Sequence, residues 1–237
     1  MRLPGAVARC GWKGSCVKKA VIFDVDGTLV DSVDLHARAW QEALAQFGHP
    51  VAFEAVRGQI GKGGDQLLPV FLSKEEISKY GKQIEEYRGA LFKRQYLSQV
   101  TGFPQVRDLL QQIKRNGQHI ALASSAKKDE LTTYKRIANV EDLTDEETST
   151  DDAEKSKPHP DIFKAALDRV GVSANEAVTV GDSPYDAEAA GKLGLQTIGV
   201  LCGGFSEADL RQAGCIAIYR DPADLLADLD RSPITRD

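Results

Sequence analysis

The chain has 237 residues with a formal net charge of -5, from 30 basic and 35 acidic side chains. This length can bury a sizeable core, and the acidic balance argues against the basic surface of a nucleic-acid-binding protein. The four cysteines form no C-x-x-C pair, so neither a zinc site nor a disulfide framework is indicated. No apolar run approaches the ~20 residues of a membrane span, and we expect no membrane partner and a cytoplasmic location.

Residues 1–18 are basic, contain several glycines and include no acidic residue. A basic start can open a signal peptide, but the necessary apolar stretch of ~7–15 residues is missing. We therefore predict a loosely ordered tail ahead of the folded part.

An apolar run at residues 21–23 leads into Asp24 and Asp26 and then a glycine. Residues two apart in an extended chain share a face, so the two carboxylates point to the same place. A hairpin turn at Asp26-Gly27 is the alternative interpretation, but it leaves Asp24 unexplained. A carboxylate in so apolar a run is costly unless it is paired or binds a metal, which favours a chemical role.

Residues 32–100 show helical patterns and no strand pattern. One apolar stripe at helical spacing covers residues 35–47, and another covers residues 77–91 behind a capping box of Ser73 and Glu76. His36 lies beside the first stripe, and we interpret it as a structural histidine rather than a catalytic one.

Between these helices, residues 57–65 are rich in glycine. They do not match the phosphate-binding pattern G-x-x-x-x-G-K-[ST], because Lys62 is followed by Gly63. We predict a flexible loop between two helices, with Arg57 and Lys62 placed to contact a ligand.

From residue 106 onward, helices and strands alternate. A helix over residues 106–115 precedes a buried strand at residues 119–123, which ends in Ser124 and Ser125. By itself, a serine here fits phosphate binding and helix capping equally well. Eight of residues 141–154 are acidic, and we interpret them as a solvated face with a short strand at about residues 143–148.

The next segment is Lys155-Ser156-Lys157-Pro158-His159-Pro160. Proline suits a first helical turn, and a lysine just ahead of it would place a cation beside a helix N-terminus, a combination suited to an anion. The strand at residues 177–180 then ends in Gly181-Asp182, and Asp186 follows. Two carboxylates after a strand end favour a chemical role, and the alternative interpretation is that Asp182 is only the N-cap of the next helix.

Two further strand–helix units, at residues 197–212 and 216–229, complete the chain. Such alternation predicts a parallel sheet covered on both faces, with ligands bound at the carboxyl ends of its strands. Asp24, Ser124 and Asp182 each follow a predicted strand, and Lys157 precedes a predicted helix. We therefore expect these four residues to converge on one edge of the sheet.

Four motifs in this order resemble those of the haloacid-dehalogenase-like superfamily. They are Asp24-Val25-Asp26-Gly27-Thr28, the strand ending at Ser124, Lys157-Pro158-His159-Pro160, and Gly181-Asp182-Ser183-Pro184-Tyr185-Asp186. The resemblance implies an α/β fold, with a Rossmann-like core at residues 19–31 and 101–237 and an inserted helical cap at 32–100. It also favours Ser124 over Ser125 and Lys157 over Lys155.

The resemblance further implies a Mg²⁺-dependent phosphatase of small phosphorylated metabolites, similar to phosphoglycolate phosphatases. Asp24 would attack phosphorus to form an aspartyl-phosphate, and Asp26 would act as the acid and base, for which we expect a raised pKa. Lys157 and Ser124 would hold phosphate oxygens. The implied metal ligands are Asp24, the backbone carbonyl of Asp26, Asp182 and, directly or through a hydrogen bond, Asp186. In the cap, Arg57 and Lys62 would contact the leaving group.

Two alternatives stay open. The chain also resembles β-phosphoglucomutases at residues 34–40, although those enzymes usually carry Glu-Asp where this chain has Gly181-Asp182. A catalytically silent binding protein of the same fold is disfavoured by the intact Asp24, Asp26 and Lys157. The second aspartate also argues against carbon–halogen chemistry. The sequence is compatible with a monomer or a homodimer.

Overall fold

The computed structural model describes residues 17–236. Most of the predicted N-terminal tail therefore lies outside the described residues. The last residue of that predicted tail, Lys18, already belongs to the fold, because it is buried and its backbone N–H donates to the carbonyl of Ile234 at 3.3 Å.

Eight strands and ten α-helices occur among residues 17–236. The strands are β1 (Ala20–Phe23), β2 (Val30–Asp31), β3 (Thr101–Gly102), β4 (His119–Ala123), β5 (Glu146–Thr148), β6 (Ala177–Gly181), β7 (Gln196–Val200) and β8 (Cys215–Tyr219). The helices are α1 (Val33–Gln46), α2 (Phe53–Arg57), α3 (Gly64–Phe71), α4 (Lys74–Leu91), α5 (Val106–Arg115), α6 (Lys128–Ile137), α7 (Asp161–Val170), α8 (Pro184–Gly191), α9 (Glu207–Ala213) and α10 (Pro222–Ala227).

Six strands form a parallel sheet in the order β5-β4-β1-β6-β7-β8. This confirms the predicted parallel α/β fold. The first strand, β1, lies in the middle of the sheet, and the chain extends from it toward β4 on one side and β6 on the other. A crevice at the carboxyl end of such a central strand is the usual ligand site of parallel sheets. No helix within residues 17–236 has the length and apolar character needed to cross a membrane.

The residues of β1 show why the sheet is covered on both faces. All four of its side chains are fully buried, with Val21 and Phe23 in one apolar cluster and Ala20 and Ile22 in another. Alternate residues of a strand point to opposite faces, so each cluster lies on one side of the sheet. The continuous apolar run ahead of Asp24 is therefore the pattern of a parallel strand between two layers of helices.

Residues 33–99 form a helical insert between β2 and β3, which pair antiparallel and bring its two ends together. Its helices α1 to α4 enclose an apolar cluster that includes Trp40, Leu67 and Ile84. The predicted capping box of Ser73 and Glu76 is confirmed at the start of α4. After α4 the chain continues through a π-helical turn, Phe92–Tyr96, and a 3₁₀ turn, Leu97–Gln99.

One helix start near the site differs from the prediction, and another excludes an alternative interpretation. Helix α7 begins at Asp161 with Pro160 at its N-cap, so Lys157 lies several residues ahead of the helix rather than at its N-terminus. Helix α8 is capped by Ser183, whose side chain accepts a hydrogen bond from the Asp186 backbone N–H. Asp182 is therefore not the helix cap, and its carboxylate is left for other contacts.

Candidate active site

The carboxylates of Asp24, Asp182 and Asp186 meet at the carboxyl edge of the sheet. Asp24 follows β1, Asp182 follows β6, and Asp186 lies in the first turn of α8. All three are buried, and one oxygen of each lies within 4.8 Å of the others. The predicted convergence of Asp24 and Asp182 on one edge follows from the neighbouring positions of β1 and β6.

Lys157 brings a buried cation to this cluster, with a side chain only 1% exposed. Its Nζ pairs with the Asp24 carboxylate, lies 2.7 Å from Oδ1 of Asp186, and donates to the carbonyl of Ala123 at 3.0 Å. The second oxygen of Asp186 accepts a hydrogen bond from Ser183 Oγ at 2.7 Å. Asp186 therefore already holds the lysine and the start of α8, which favours a supporting position beside the cluster.

The charge of the cluster is unbalanced, because three carboxylates face one lysine. Burial raises the pKa of Asp24 to about 7, with Lys157 opposing and Asp186 and Asp26 adding to the rise. Burial, with Asp24 and Asp186 nearby, also raises the pKa of Asp182 well above its ordinary value. Burial alone would lower the pKa of Lys157, but Asp186 and Asp24 hold it above its ordinary value. An added cation would relieve this excess of negative charge.

Asp26 points away from that cluster toward the helical insert. Its Oδ1 accepts a hydrogen bond from Ser32 Oγ at 2.5 Å and lies 3.0 Å from His36 Nε2. Burial acts to raise the pKa of Asp26, but His36, Ser32 and Lys157 together hold it below its ordinary value. The expected raised pKa is therefore wrong for this arrangement, because these three neighbours stabilise the ionised carboxylate.

His36 is one of several residues of this site to which the sequence analysis gave no functional part. Its ring stacks on Phe92 with centroids 4.0 Å apart, and its Nε2 lies 2.9 Å from the hydroxyl of Tyr134. That hydroxyl donates to Glu130 at 2.7 Å. The helical spacing of α1 shows that His36 lies near a buried stripe, but its contact with Asp26 depends on how α1 packs on the core.

The two serines after β4 have different surroundings. Ser124 is fully buried, and its Oγ accepts a hydrogen bond from the Ala126 backbone N–H at 3.0 Å. Ser125 lines the cavity at Asp24. Neither serine caps α6, which has Lys127 at its N-cap. The phosphate-binding part assigned to Ser124 stays a prediction, and the position of Ser125 makes it an equal candidate.

The two cationic residues predicted to contact a ligand differ in their partners. Lys62 lines the cavity at Asp24, donates to Gln59 Oε1 at 2.6 Å and lies 4.5 Å from the centroid of the Tyr185 ring. Arg57 pairs with Asp34 at 2.7 Å and donates to the carbonyls of residues 203 and 204 at 3.0 and 3.3 Å. The Arg57 side chain thus joins the insert to the core, and a ligand contact for it stays a prediction.

The glycine-rich loop of the insert lies directly against the core site. Gly61 has φ +106°, and a Cβ there would lie 2.8 Å from Ser183 Oγ. A Cβ on Gly63 would lie 2.1 Å from Ser156 Oγ. Ser183 and Ser156 are the neighbours of Asp182 and Lys157, so the absence of side chains at these two glycines allows the insert to approach the charged cluster.

A cavity of about 40 Å³ opens between the core and the insert. Its lining residues are Asp24, Asp26, His36, Trp40, Ile60, Gly61, Lys62, Arg88, Ser125, Ala126 and Glu130. The cavity thus holds both aspartates of the first motif at its floor and residues of the insert at its roof. A small group entering it would meet both carboxylates.

The oxygen-rich cluster fits a divalent cation. Mg²⁺ is bound through carboxylate oxygens and usually keeps several waters, and three carboxylates with one lysine leave net negative charge for it to balance. Asp24 and Asp182 have the oxygens best placed to hold such an ion, since Asp186 is already bonded to Lys157 and Ser183. The cluster could therefore bind a metal, and its donor set favours a hard cation.

A central parallel strand that ends in two aspartates, with a lysine and further aspartates beside it, defines a class of enzyme. The family model described as haloacid dehalogenase-like hydrolase matches residues 21–200, and the chain belongs to this family. The predicted family is thereby confirmed.

Individual relatives narrow the comparison. The chain is 35% identical over 193 residues to a phosphoglycolate phosphatase of Yersinia pestis, covering 78% of this chain and 82% of that one. It is 28% identical over 213 residues to the phosphorylated carbohydrates phosphatase of Thermotoga maritima, covering 88% and 96%. A crystal structure of a hydrolase from Pseudomonas syringae superposes with a TM-score of 0.83 at 29% identity, covering 90% of this chain and 98% of that chain.

Proposed function

We propose that this protein is a Mg²⁺-dependent phosphatase of small phosphorylated metabolites. The observation that carries the proposal is the ion pair of Asp24 with buried Lys157. Asp182 lies in the same cluster, and the cavity at Asp24 is also lined by Asp26. Transfer of a phosphoryl group requires a positioned nucleophile and positive charge around the equatorial oxygens. The names of the Yersinia and Thermotoga relatives support the same reaction class.

In the proposed reaction, an oxygen of Asp24 attacks phosphorus in line with the leaving oxygen. The bond from phosphorus to the leaving group breaks, Asp26 gives that oxygen a proton, and an aspartyl-phosphate forms on Asp24. Water then attacks the phosphorus, Asp26 takes a proton from the water, and Asp24 is released with inorganic phosphate. Lys157, together with Ser124 or Ser125, holds the remaining phosphate oxygens.

The lowered pKa of Asp26 suits the second half of this cycle, in which it acts as a base. In the first half Asp26 acts as an acid and needs a higher pKa, which the bound substrate supplies. A phosphate dianion beside Asp26 disfavours the ionised carboxylate and raises its pKa. His36 and Ser32 keep the carboxylate turned toward the leaving group in both halves.

Mg²⁺ at Asp24, Asp182 and the backbone carbonyl of Asp26 would neutralise charge on the phosphoryl group as it transfers. Asp186 would support this set by holding Lys157. We also propose that the helical insert, within residues 32–100, is a cap that contacts the leaving group, with Lys62 as a lining residue and Arg57 as a further candidate.

The structure disfavours the mutase alternative at the position where the two enzyme types differ in sequence. A Cβ on Gly181 would lie 2.7 Å from the Asp186 carboxylate. The glutamate that mutases usually carry there would displace Asp186, and with it the contact to Lys157. Net conversion of a sugar 1-phosphate to its 6-phosphate, without release of inorganic phosphate, would instead favour a mutase.

Asp24→Asn tests the proposal, because the amide has nearly the size of the carboxylate but cannot form the acyl-phosphate. We expect wild-type protein to release phosphate from acetyl phosphate only with Mg²⁺, and the variant to lose at least ~10³-fold in kcat. Far-ultraviolet circular dichroism and the melting temperature would show that the variant folds. Substantial turnover by folded Asp24→Asn, or equal turnover of wild type with Mg²⁺ and with EDTA, would contradict the proposed mechanism.

A further inference from the structure

A second, larger cavity adjoins the one at Asp24. Its volume is about 550 Å³, within the ~300–1,000 Å³ typical of small-molecule sites. The two cavities share five lining residues, namely Trp40, Arg88, Ser125, Ala126 and Glu130. A substrate whose phosphoryl group reaches Asp24 would therefore place its leaving group in the larger space. That space exceeds what the two carbons of glycolate can fill.

Arg88 stands in the shared wall of the two cavities. Its guanidinium carbon lies 4.9 Å from the centroid of the Trp40 ring, and Trp40 is almost fully buried. Within residues 17–236, no carboxylate pairs with Arg88 at salt-bridge distance, whereas the neighbouring Lys93 pairs with Asp129 at 2.5 Å. A guanidinium stacked on an aromatic face keeps its fork of N–H donors in a fixed orientation. Arg88 thus offers donors to a ligand in the cavity.

The charge of the larger cavity indicates what kind of ligand it takes. Five carboxylates line it, from Asp65, Glu85, Glu86, Glu130 and Glu154, against three cations, from Arg88, Lys93 and Lys127. These groups face one another: burial and Asp65 raise the pKa of Glu85, while Arg88 and Lys127 oppose that rise. A net negative wall disfavours an anionic leaving group, but its carboxylates accept hydrogen bonds from hydroxyls.

The acidic wall is also held in place. Asp65 accepts a hydrogen bond at 3.2 Å from the backbone N–H of Ser156, the residue before Lys157. Glu130 is 6% exposed, and its Oε1 accepts a hydrogen bond from the Tyr134 hydroxyl at 2.7 Å. Acceptors from both the insert and the core are therefore fixed around the space that Arg88 faces.

We propose that this larger cavity is the leaving-group subsite, that Arg88 is its specificity-determining donor, and that the leaving group is a neutral polyol, so that the substrates are sugar phosphates. The proposal rests on the proposed phosphatase function. It selects among phosphorylated metabolites by two properties, the size of the leaving group and the absence of a negatively charged group within it.

Four substrates separate size from charge. Glucose 6-phosphate and 6-phosphogluconate are of similar size and differ by a carboxylate, as do the smaller glycerol 3-phosphate and 2-phosphoglycolate. With Mg²⁺ present, we expect kcat/KM to be highest for glucose 6-phosphate and at least ~10-fold lower for 6-phosphogluconate, since desolvating and repelling one extra charge costs a factor of this order. Of the two substrates with an uncharged leaving group, glucose 6-phosphate should have a higher kcat/KM than the smaller glycerol 3-phosphate.

Two variants test the residues. Arg88→Met keeps a long side chain beside Trp40 and removes the donors, and it should lower kcat/KM for glucose 6-phosphate ~10-fold or more beyond any loss for acetyl phosphate. Glu85→Lys should raise the ratio of 6-phosphogluconate to glucose 6-phosphate turnover. Glu75→Lys makes the same charge change on the same helix outside the cavity, and it should leave that ratio unchanged.

The outcomes separate the two proposals. Failure of wild-type protein to hydrolyse acetyl phosphate would overturn the phosphatase function and this inference with it. Hydrolysis of acetyl phosphate with 2-phosphoglycolate or 6-phosphogluconate as the best substrate would overturn the inference alone. The inference alone is also overturned if Arg88→Met lowers kcat/KM equally for acetyl phosphate and glucose 6-phosphate. That result would mean that Arg88 stabilises the fold or contacts the phosphoryl group.

Discussion

At the scale of single residues, the site combines side chains whose charges do not balance within the protein. Asp24 and Asp182 are buried with raised pKa values, and Lys157 is the single cation in contact with the cluster among the described residues. Asp26, only two residues from Asp24, is kept ionised by His36 and Ser32. One short segment therefore holds two carboxylates in opposite electrostatic surroundings. In the protein alone these surroundings oppose the proposed parts, so a cation near Asp24 would have to lower its pKa and a substrate phosphate would have to raise that of Asp26.

His36→Asn tests whether the histidine positions Asp26. The variant removes a neighbour that lowers the pKa of Asp26, so that pKa should rise, and the acidic limb of the pH–rate profile should move to higher pH. We expect kcat to fall ~10-fold, with KM changed much less, because orientation of the proton donor matters at the transition state. Tyr134→Phe keeps the histidine and removes only the hydroxyl behind it, so its effect should be smaller. An unchanged pH profile with a lower melting temperature would make His36 merely structural.

At the scale of elements, the sequence predicted what is local and periodic. The strands β4 and β6, the helix α5 and the capping box of α4 follow from apolar spacing and capping residues, and the structure confirms them. The strand predicted at residues 143–148 begins only at Glu146; just before it, the Asp145 side chain accepts hydrogen bonds from the Ile120 backbone N–H and from Lys114. Contacts between the insert and the core could not be predicted, because they join residues such as Arg57 and Gly203 that lie far apart in sequence.

The loop of the insert provides a test of these contacts. Gly61→Ala introduces a Cβ at a positive φ and 2.8 Å from Ser183 Oγ, so the loop must withdraw from the core. We expect a loss of more than ~1 kcal/mol in unfolding free energy and a clear drop in kcat/KM toward acetyl phosphate. Gly58→Ala is the matched control, since its Cβ would meet only ordinary contacts at 3.5 Å or more. Equal effects of the two variants in denaturant titration and kinetics would show that the approach of Gly61 is unimportant.

At the scale of the whole molecule, motifs that lie far apart in the sequence come together at one place in the fold. The neighbouring positions of β4, β1 and β6 bring the residues after each strand to one edge, as the alternation of strands and helices predicted. The same pattern could not show that Asp186 is bonded on both sides, that Ser125 rather than Ser124 lines the cavity, or that Arg57 joins insert to core. Those outcomes depend on side-chain packing, which periodicity does not encode.

The unbalanced charge also links folding stability to the metal. Ionising buried Asp182 beside Asp24 and Asp186 costs free energy that a bound cation offsets, so Mg²⁺ should raise the melting temperature of wild-type protein. At 100 times its dissociation constant, one bound ion contributes about 2.7 kcal/mol. Asp182→Asn removes one of the repelling charges while keeping an oxygen acceptor for Thr28. In EDTA the variant should therefore melt at a higher temperature than wild type, yet gain almost nothing from Mg²⁺ and lose activity. Differential scanning calorimetry with EDTA and with Mg²⁺ measures both effects, and an equal Mg²⁺-dependent rise in the variant would place the metal away from Asp182.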